Sequence, residues 1–518
     1  MNMTIDKRKF WICIVFILLA ALYISLSTNF SYFSNDLYGH DAGIFAGIGH
    51  AMSEGRILYT EIWENKGPLL YFINLLGISL NYYHGIYWLE LLSIFITLLY
   101  CFKSALYITK NNWISLLAVL FTSLIYIFTL EGGNLSEEYA LPFLSIGLYL
   151  TVKLIYNNFN LGNLEYILYG ICIGATFLLR ANLTSFYIVV IIVLTIYILK
   201  QRSFKLFFKI LIMAFIGFVI IISPFLIYLI TNNALEECLN TAYVGIMSNF
   251  EPPEISFRMK SVFDMLATLA LSGSVFSTVI TYIAFIVFKV KKRFINPKIS
   301  ILLTITIFAF ILNFILNSLT GVYHMHYYMS FLPIMIIPNT CFINEVYLKL
   351  KRTINDRLKR YIVTVALVLL LSMSALPKFF SIVTSNLPNE DISKRSNRIS
   401  EFVTENSKTD ETVQLIGVGK DPTAVTTNYK AKRLSASRHI YNAEGRFTQA
   451  FRNDVANEIA GDILNNNPKL VMFSIDPKNS YDDFIKRLRD MEEFKQFLRD
   501  NYMEIQNNFG YLVFEKKI

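Results

Sequence analysis

Asp41, Lys66, Glu137, Glu138, Arg180, His324, His326 and Tyr327 are residues whose types and settings could do chemistry. Each lies in a short polar stretch between long apolar ones. Asp41 stands where a helical pattern begins, just before Gly43–Glu54. There it either caps free backbone N–H groups or acts as a carboxylate base, kept ionised by the positive end of the helix. Lys66 shares its loop with Asp36, Asp41, Glu54, Glu61 and Glu64. It either pairs with Glu64 or Glu61, snorkels to an interface, or holds a phosphate as a compact point charge. His40 and Glu64 flank these two residues and join the candidates for binding substrate.

Three further stretches carry candidates. Glu131-Gly132-Gly133-Asn134-Leu135-Ser136-Glu137-Glu138 precedes an apolar run. Its acidic end suits a first helical turn, but carboxylates so close to a bilayer also point to a site facing the bundle. Arg180 sits in a very short turn, Leu178-Leu179-Arg180-Ala181-Asn182. It snorkels to lipid phosphate or serves as an anion ligand in a cavity. His324 and His326 alternate in a loop and could hold a metal with a carboxylate. Tyr and His are equally at home in an interfacial belt. No loop offers a convincing ligand set, so a divalent metal is possible but unsupported, and no other cofactor is implied.

The elements that must position these residues are apolar. Of 518 residues, 54% are hydrophobic, 15% aromatic and only 16% charged, and the mean hydropathy is +0.46. This excludes a soluble enzyme. Segments near the ~20 residues needed to cross a bilayer recur at about 10–28, 85–107, 112–130, 138–156, 164–179, 183–199, 206–230, 262–288, 299–319, 328–348 and 361–380. The expected class is a polytopic α-helical membrane protein with about eleven spans. Lys7, Arg8 and Lys9 precede the first, which is expected to be retained rather than cleaved. Lys and Arg concentrate in alternate connections, as at Lys200–Lys209, Lys289–Lys298 and Lys349–Arg360. The positive-inside rule then places the N-terminus in the cytoplasm. An odd number of spans puts the C-terminal part outside. The candidate residues all fall on the outer face. The net charge of +9 belongs to these connections, so nucleic acid is not an expected partner.

Two domains are expected: 1–380, membrane-embedded with a first outer loop at 29–84, and 381–518, a small extracytoplasmic α/β domain. In the loop, Ile44, Phe45, Ile48, Ala51 and Met52 fall on one helical face, with His50, Ser53 and Glu54 off it. This predicts an interfacial amphipathic helix. Pro68–Leu80 is apolar but short and predicts a second. In the C-terminal domain, Val413–Gly417, Leu470–Ile475 and Gly510–Glu515 predict strands, and Phe447–Asn465 and Asp482–Asn501 predict helices. The abundance of Asn, Ile and Lys suggests an AT-rich bacterial source.

The loop His40–Phe72, HDAGIFAGIGHAMSEGRILYTEIWENKGPLLYF, resembles the GT-C class of membrane glycosyltransferases, near the protein O-mannosyltransferases and lipid A aminoarabinose transferases. Asp41, Gly55, Tyr59, Glu64 and Lys66-Gly67-Pro68 match that pattern; Ala42 stands where a second acidic residue is expected. Glu137 and Glu138 match a second acidic site, and His326-Tyr327-Tyr328 with Pro333 match a later motif. The resemblance covers residues 1–380. It implies sugar transfer from a polyprenyl-phosphate donor to a hydroxyl of an envelope lipid, glycan or protein. Asp41 would be the base, Lys66 and Arg180 would stabilise the leaving phosphate, and Glu137 or Glu138 would position hydroxyls. The alternatives are an envelope-lipid transporter or flippase, which would carry charges near the bilayer midplane, and a glycan polymerase or ligase.

Overall fold

In lipid, a backbone has no partner for its N–H and C=O groups except its own helix. The apolar runs of this chain are accordingly helical. The computed structural model describes residues 6–34, 40–244, 251, 254–293, 295–319, 324–380, 390–417, 422–440, 447–474, 488, 491–505 and 510–517. The helices are α1 (Lys7–Ser25), α2 (His40–Ser53), α3 (Pro68–Leu80), α4 (Gly85–Thr109), α5 (Asn112–Thr129), α6 (Ser136–Tyr156), α7 (Asn163–Leu179) and α8 (Ser185–Lys200). They continue with α9 (Phe204–Thr231), α10 (Ile255–Ala270), α11 (Ser274–Val290), α12 (Pro297–Leu319), α13 (Phe331–Thr353) and α14 (Arg357–Leu371). Among the described residues eight helices are long and apolar enough to cross a membrane, α8 counted from Ala181, or nine if the bent pair of α10 and α11 is one span. The chain is a polytopic helical membrane protein.

Two expected spans differ in detail. The run 262–288 is not one straight helix: α10 and α11 meet at a bend of 97°, with Gly273 at φ 71° between them. The run 361–380 ends its helix at Leu371 and resumes only at Leu376–Phe380. The run 164–179 forms α7, which has 17 residues. Glycine lets α7 approach α9 closely. A Cβ on Gly170 would lie 1.8 Å from the Ala214 carbonyl oxygen, and one on Gly217 would lie 1.9 Å from that of Ile167. This contact fixes α7, whose end carries Arg180.

The expectation for α2 needs correction. It does not lie half-exposed at an interface, because Ala42 through Met52 are all buried. Ile44, Phe45 and Ile48 join the main core, whereas Ala42 and Ala46 pack with Tyr429 on the other side. Even His50 is buried, and neither ring nitrogen has a hydrogen-bond partner among the described residues. Local amphipathicity could not reveal this second cover, which comes from a part of the chain far away in sequence. The helix α3 keeps the expected character, with Leu76 and Leu80 exposed and Leu70, Tyr71 and Asn74 buried.

The C-terminal part adds α15 (Glu390–Glu405), α16 (Pro422–Ala431), α17 (Gln449–Asn466) and α18 (Glu492–Asn501). Its sheet has four strands: β1 (Val413–Ile416), β2 (Leu470–Ser474), β3 (Tyr502–Ile505) and β4 (Tyr511–Lys516). Their order is β1-β2-β4-β3, with β1 and β2 parallel and the other pairs antiparallel. Both faces are covered, as continuous apolar strands require. Val471 and Phe473 pack with Val455, Ile459 and Phe494, and Leu415 and Met472 pack with Ile399 and Val403. The strand β3 was not expected; Tyr502-Met503-Glu504-Ile505 is too short to announce itself before β4 pairs with it. The expected domain boundary at 380/381 and the start of the expected helix Asp482–Asn501 lie outside the described residues.

Candidate active site

The site is built at one end of the bundle, where the starts of α2 and α6, the end of α7 and the segment before α13 come together. At the start of α6, Glu137 is buried, and its carboxylate pairs with the Arg180 guanidinium at the end of α7. The side chains of Glu137 and Arg180 are only 2% and 17% exposed. A buried carboxylate needs such a partner, since removing either charge would strand the other. The guanidinium also lies over the Tyr327 ring, 4.2 Å from its centroid, a cation–π arrangement. Tyr327 in turn contacts His326 and His324 edge-on, with centroids 4.7 and 5.3 Å apart.

His326 Nδ1 pairs with the Glu131 carboxylate. The backbone N–H groups of Met325 and His326 also donate to it, at 3.3 and 3.4 Å. Burial lowers the pKa of His326, but the hydrogen bond to Glu131 and the charges of Glu137, Asp41 and Glu131 prevail and raise it. Burial likewise pushes Glu131 up, yet the His326 hydrogen bond and the charges of both histidines hold it below the usual carboxylate range. Asp41 is therefore an electrostatic neighbour of His326. It stands in the first turn of α2, after His40, rather than at a cap position. The residue before His40 lies outside the described set, as does Asp36.

Glu131 was not singled out from the sequence. It belongs to a turn in which four consecutive residues adopt left-handed φ: Glu131 at 45°, Gly132 at 91°, Gly133 at 79° and Asn134 at 53°. Only glycine takes such angles cheaply. A Cβ on Gly133 would also lie 2.2 Å from Glu90 Oε1. The Glu-Gly-Gly-Asn string was the available signal, a carboxylate mounted on a turn that needs its glycines.

Lys66 is held by its backbone. Its carbonyl accepts from Tyr59 Oη at 2.7 Å, and its N–H donates to Tyr71 Oη at 3.3 Å. Gly67 then packs directly on the end of α7. A Cβ there would lie 2.0 Å from the Leu178 carbonyl oxygen, and the Gly67 N–H donates to Leu179 O at 3.4 Å. Lys66 and Arg180 thus lie on two strands of chain in backbone contact. The Lys66 ammonium donates to Asn65 Oδ1 at 3.1 Å and forms no ion pair among the described residues. The expected pairing with Glu64 or Glu61 is not formed. Glu64 is buried and accepts from the Asn65 N–H at 2.6 Å, and Glu61 accepts from the Ile57 N–H at 2.7 Å.

Glu138 is turned away from this cluster. It is fully buried, and neither of its carboxylate oxygens has a hydrogen-bond partner among the described residues. Its electrostatic neighbour is Glu90, which accepts from the Asn134 N–H at 2.6 Å. Asn134 also donates to Asn74 Oδ1 and to the Ala42 carbonyl, at 2.8 and 3.1 Å. This amide ties the start of α2 to the turn that carries Glu131.

The C-terminal part of the chain holds the loop that bears Lys66. The Trp63 N–H donates to Arg438 O at 2.9 Å, and its ring lies against His439, with centroids 5.5 Å apart. Arg438 bridges Glu458 and Glu237, at 2.8 and 3.1 Å, and His439 Nε2 pairs with Glu458 at 2.7 Å. Nothing in the local sequence around Arg438 signalled this clasp.

Glu131, His324 and His326 present ligand atoms within 4.8 Å of one another. Two imidazoles and a carboxylate are a suitable donor set for zinc or a similar divalent ion. Such an ion would supply Lewis-acid charge near Tyr327 and Arg180.

Comparison with protein families gives a match over residues 3–383 to the family described as "Putative competence-induced protein Ccs4 N-terminal domain". The chain belongs to this family. Comparison with curated protein sequences gave no match. Solved structures of similar shape include ArnT from Cupriavidus metallidurans in the apo state. That match has a TM-score of 0.63 and 13% identity and covers 98% of each chain. The same enzyme bound to undecaprenyl phosphate matches with a TM-score of 0.61 and 13% identity, covering 97% of each chain. The apo oligosaccharyltransferase of Archaeoglobus fulgidus matches with a TM-score of 0.51 and 14% identity, covering all of this chain and 75% of that one. This member of the Ccs4 family therefore has the fold of GT-C glycosyltransferases. The likeness to ArnT extends over both the bundle and the C-terminal part.

Proposed function

We propose that this protein transfers a sugar from a polyprenyl-phosphate donor to an acceptor hydroxyl on an envelope lipid, glycan or protein, with inversion. The observation that carries the proposal is the convergence of one carboxylate and two cations. Asp41 lies in the field of His326, Arg180 is oriented by Glu137 and Tyr327, and Gly67 puts the Lys66 backbone against the segment leading into Arg180. Asp41 accepts the acceptor's O–H proton. The oxygen attacks the anomeric carbon, and the bond from that carbon to the phosphate oxygen breaks. The electron pair leaves with the phosphate, where Lys66 and Arg180 stabilise it. A phosphate is a good enough leaving group to need no acid.

In this reading Glu64, Glu137, His324, His326 and Tyr327 shape the sugar and acceptor subsites, and Glu138, which sits beside Glu90, is not among them. Eleven spans, a cytoplasmic N-terminus and an extracytoplasmic C-terminal domain would place the site on the outer face of a bacterial plasma membrane. That face is where a lipid-linked donor presents its sugar. ArnT, solved with undecaprenyl phosphate, supports the choice of carrier. The test is an Asp41→Asn protein in nanodiscs, given undecaprenyl-phosphate sugars and envelope extract, with new glycosides read by mass spectrometry. Transfer should fall by about 100- to 10,000-fold. A folded variant that transfers at the wild-type rate would show that Asp41 is not the base.

A further inference from the structure

The end of the bundle away from Arg180 carries a second gathering of charge. The helix α13 starts just after the His324–Tyr327 string and runs for 23 residues, about 34 Å, before a short turn leads into α14. Lys349, Lys351, Arg352, Arg357, Lys359 and Arg360 lie at this junction. None of them forms an ion pair among the described residues. The one carboxylate between them, Asp356, is occupied in capping α14. It accepts from the Leu358 and Lys359 N–H groups at 2.8 and 3.3 Å.

The charge is organised around a pair of rings. Tyr347 of α13 and Tyr361 of α14 pack with centroids 5.0 Å apart. The Arg360 guanidinium lies over Tyr347, 5.7 Å from its centroid, and that of Arg357 lies over Tyr361, at 5.9 Å. Tyr361 Oη is anchored in turn by the Asn111 amide, at 2.8 Å, in the connection between α4 and α5.

Arg360 is only 9% exposed, and its Nε has no hydrogen-bond partner among the described residues. An aromatic face offsets part of the cost of burying a cation, but it supplies no counter-charge. Nε itself is sealed. The charge, however, is delocalised over the whole guanidinium, and Arg357 stands exposed one turn earlier on the same helix. An anion resting on Arg357 would compensate both.

The surroundings say which anion. From the same end, α14 turns Leu358, Ile362, Val365 and Leu369 outward, and all four are exposed. Their spacing of four, three and four puts them on one helical face, which in a membrane protein meets acyl chains. Where such a stripe ends, the anion a bilayer offers is a lipid phosphate, and the planar fork of arginine matches phosphate geometry. A zwitterionic lipid would bring its own ammonium among six cations; an anionic lipid would not. We infer that the α13–α14 junction binds the headgroup phosphate of an anionic glycerophospholipid, with an acyl chain along the Leu358–Leu369 stripe. Basic clusters beside a span take such headgroups through the same charge attraction. In the orientation proposed above the lipid belongs to the inner leaflet, away from any donor presenting its sugar outside. Lipid binding here requires no catalytic activity at the other end.

The test uses the full-length protein in detergent micelles, with phosphatidylglycerol, cardiolipin or phosphatidylcholine added and bound lipid counted by native mass spectrometry. Phosphatidylglycerol or cardiolipin should bind at least about tenfold more tightly than phosphatidylcholine. Arg357→Gln and Arg360→Gln should each weaken that binding about fivefold. Arg357→Gln changes an exposed side chain, so it reads the site even if Arg360→Gln fails to fold. A Lys205→Gln/Lys209→Gln protein, which loses two cations of another connection, should bind as wild type does. Millimolar inorganic phosphate should not displace the lipid. The inference is overturned if phosphatidylcholine binds equally well or if Arg357→Gln binds undiminished. It is also overturned if Lys205→Gln/Lys209→Gln weakens binding as much, which would leave only a diffuse basic surface. Displacement by inorganic phosphate would overturn it too, marking a site for a free anion.

Discussion

Glu137 and Glu138 are adjacent in the first turn of α6, and both are buried, yet they serve two different regions. Successive residues on a helix point about 100° apart, so one faces α7 and the other faces α4. On the α7 side, Glu137 meets Arg180, Arg180 meets Tyr327, and His326 meets Glu131. On the α4 side, Glu138 meets Glu90, and the company is amide and hydroxyl: Asn134, Asn74 and Tyr126. The first region alternates charges of opposite sign, the arrangement that holds a cation ready for an anionic ligand. The second gathers like groups beside a rigid polar network, the arrangement that fixes a turn. Two identical side chains thus differ in surroundings, and the region with Arg180 is the one the proposed transfer would use for its leaving phosphate.

Substitutions can break this comparison. The largest effect should come from Arg180→Ala. It removes the cation and leaves Glu137 buried and uncompensated, a loss of about 3–5 kcal/mol, with transfer reduced by at least about 100-fold. Thermal unfolding in nanodiscs and a transfer assay read the two losses. Adding Glu137→Gln should restore much of the stability but none of the transfer. If the double variant also regained activity, Arg180 would be a structural ion rather than a phosphate ligand.

Next is the contrast between the neighbours. Glu137→Gln should cut transfer by about 100-fold by releasing Arg180. Glu138→Gln, which keeps shape and hydrogen-bonding capacity, should cost less than about 1 kcal/mol of stability and change transfer little. Equal losses from the two would erase the distinction drawn here.

The smallest expected effect is one of pH. His326 has a raised pKa, so the stability it contributes is complete below its unfolded value and is lost as pH rises through the folded one. Glu131 has a lowered pKa, so its contribution is complete above its unfolded value and is lost as pH falls through the folded one. Their pair is therefore strongest between the lowered Glu131 value and the raised His326 value. The unfolding-temperature gap between wild type and Glu131→Gln should be widest at mildly acidic to neutral pH. It should shrink at both extremes. A gap independent of pH would show that Glu131 acts through its backbone hydrogen bonds alone.

Much of this was legible in the chain. The long apolar runs could only become helices, because lipid leaves the backbone no other partner, and the polar stretches between them therefore had to lie at helix ends. Asp41, Lys66, Arg180 and the His324–Tyr327 string stood out as charged or titratable residues in such stretches. Other features could not be read. The sheath over α2 depends on Tyr429, and the hold on Trp63 depends on Arg438 and His439, all more than 350 positions away. The break between α10 and α11 falls at Ser272-Gly273-Ser274, inside a run whose length and overall hydropathy fit one span.

The sequence by itself determined a polytopic helical membrane protein with Asp41, Lys66, Arg180 and the His324–Tyr327 string at the helix ends, because backbone desolvation and apolar length act locally along the chain. Tertiary structure alone decided which carboxylate met which partner. Glu137 faces Arg180, Glu131 joins His326, and Glu138 turns inward to Glu90. Such pairings depend on the azimuth of each side chain about its helix and on which helix packs opposite. Spacing sets the relative azimuths, but which helix packs opposite each face is not encoded in residue type or spacing.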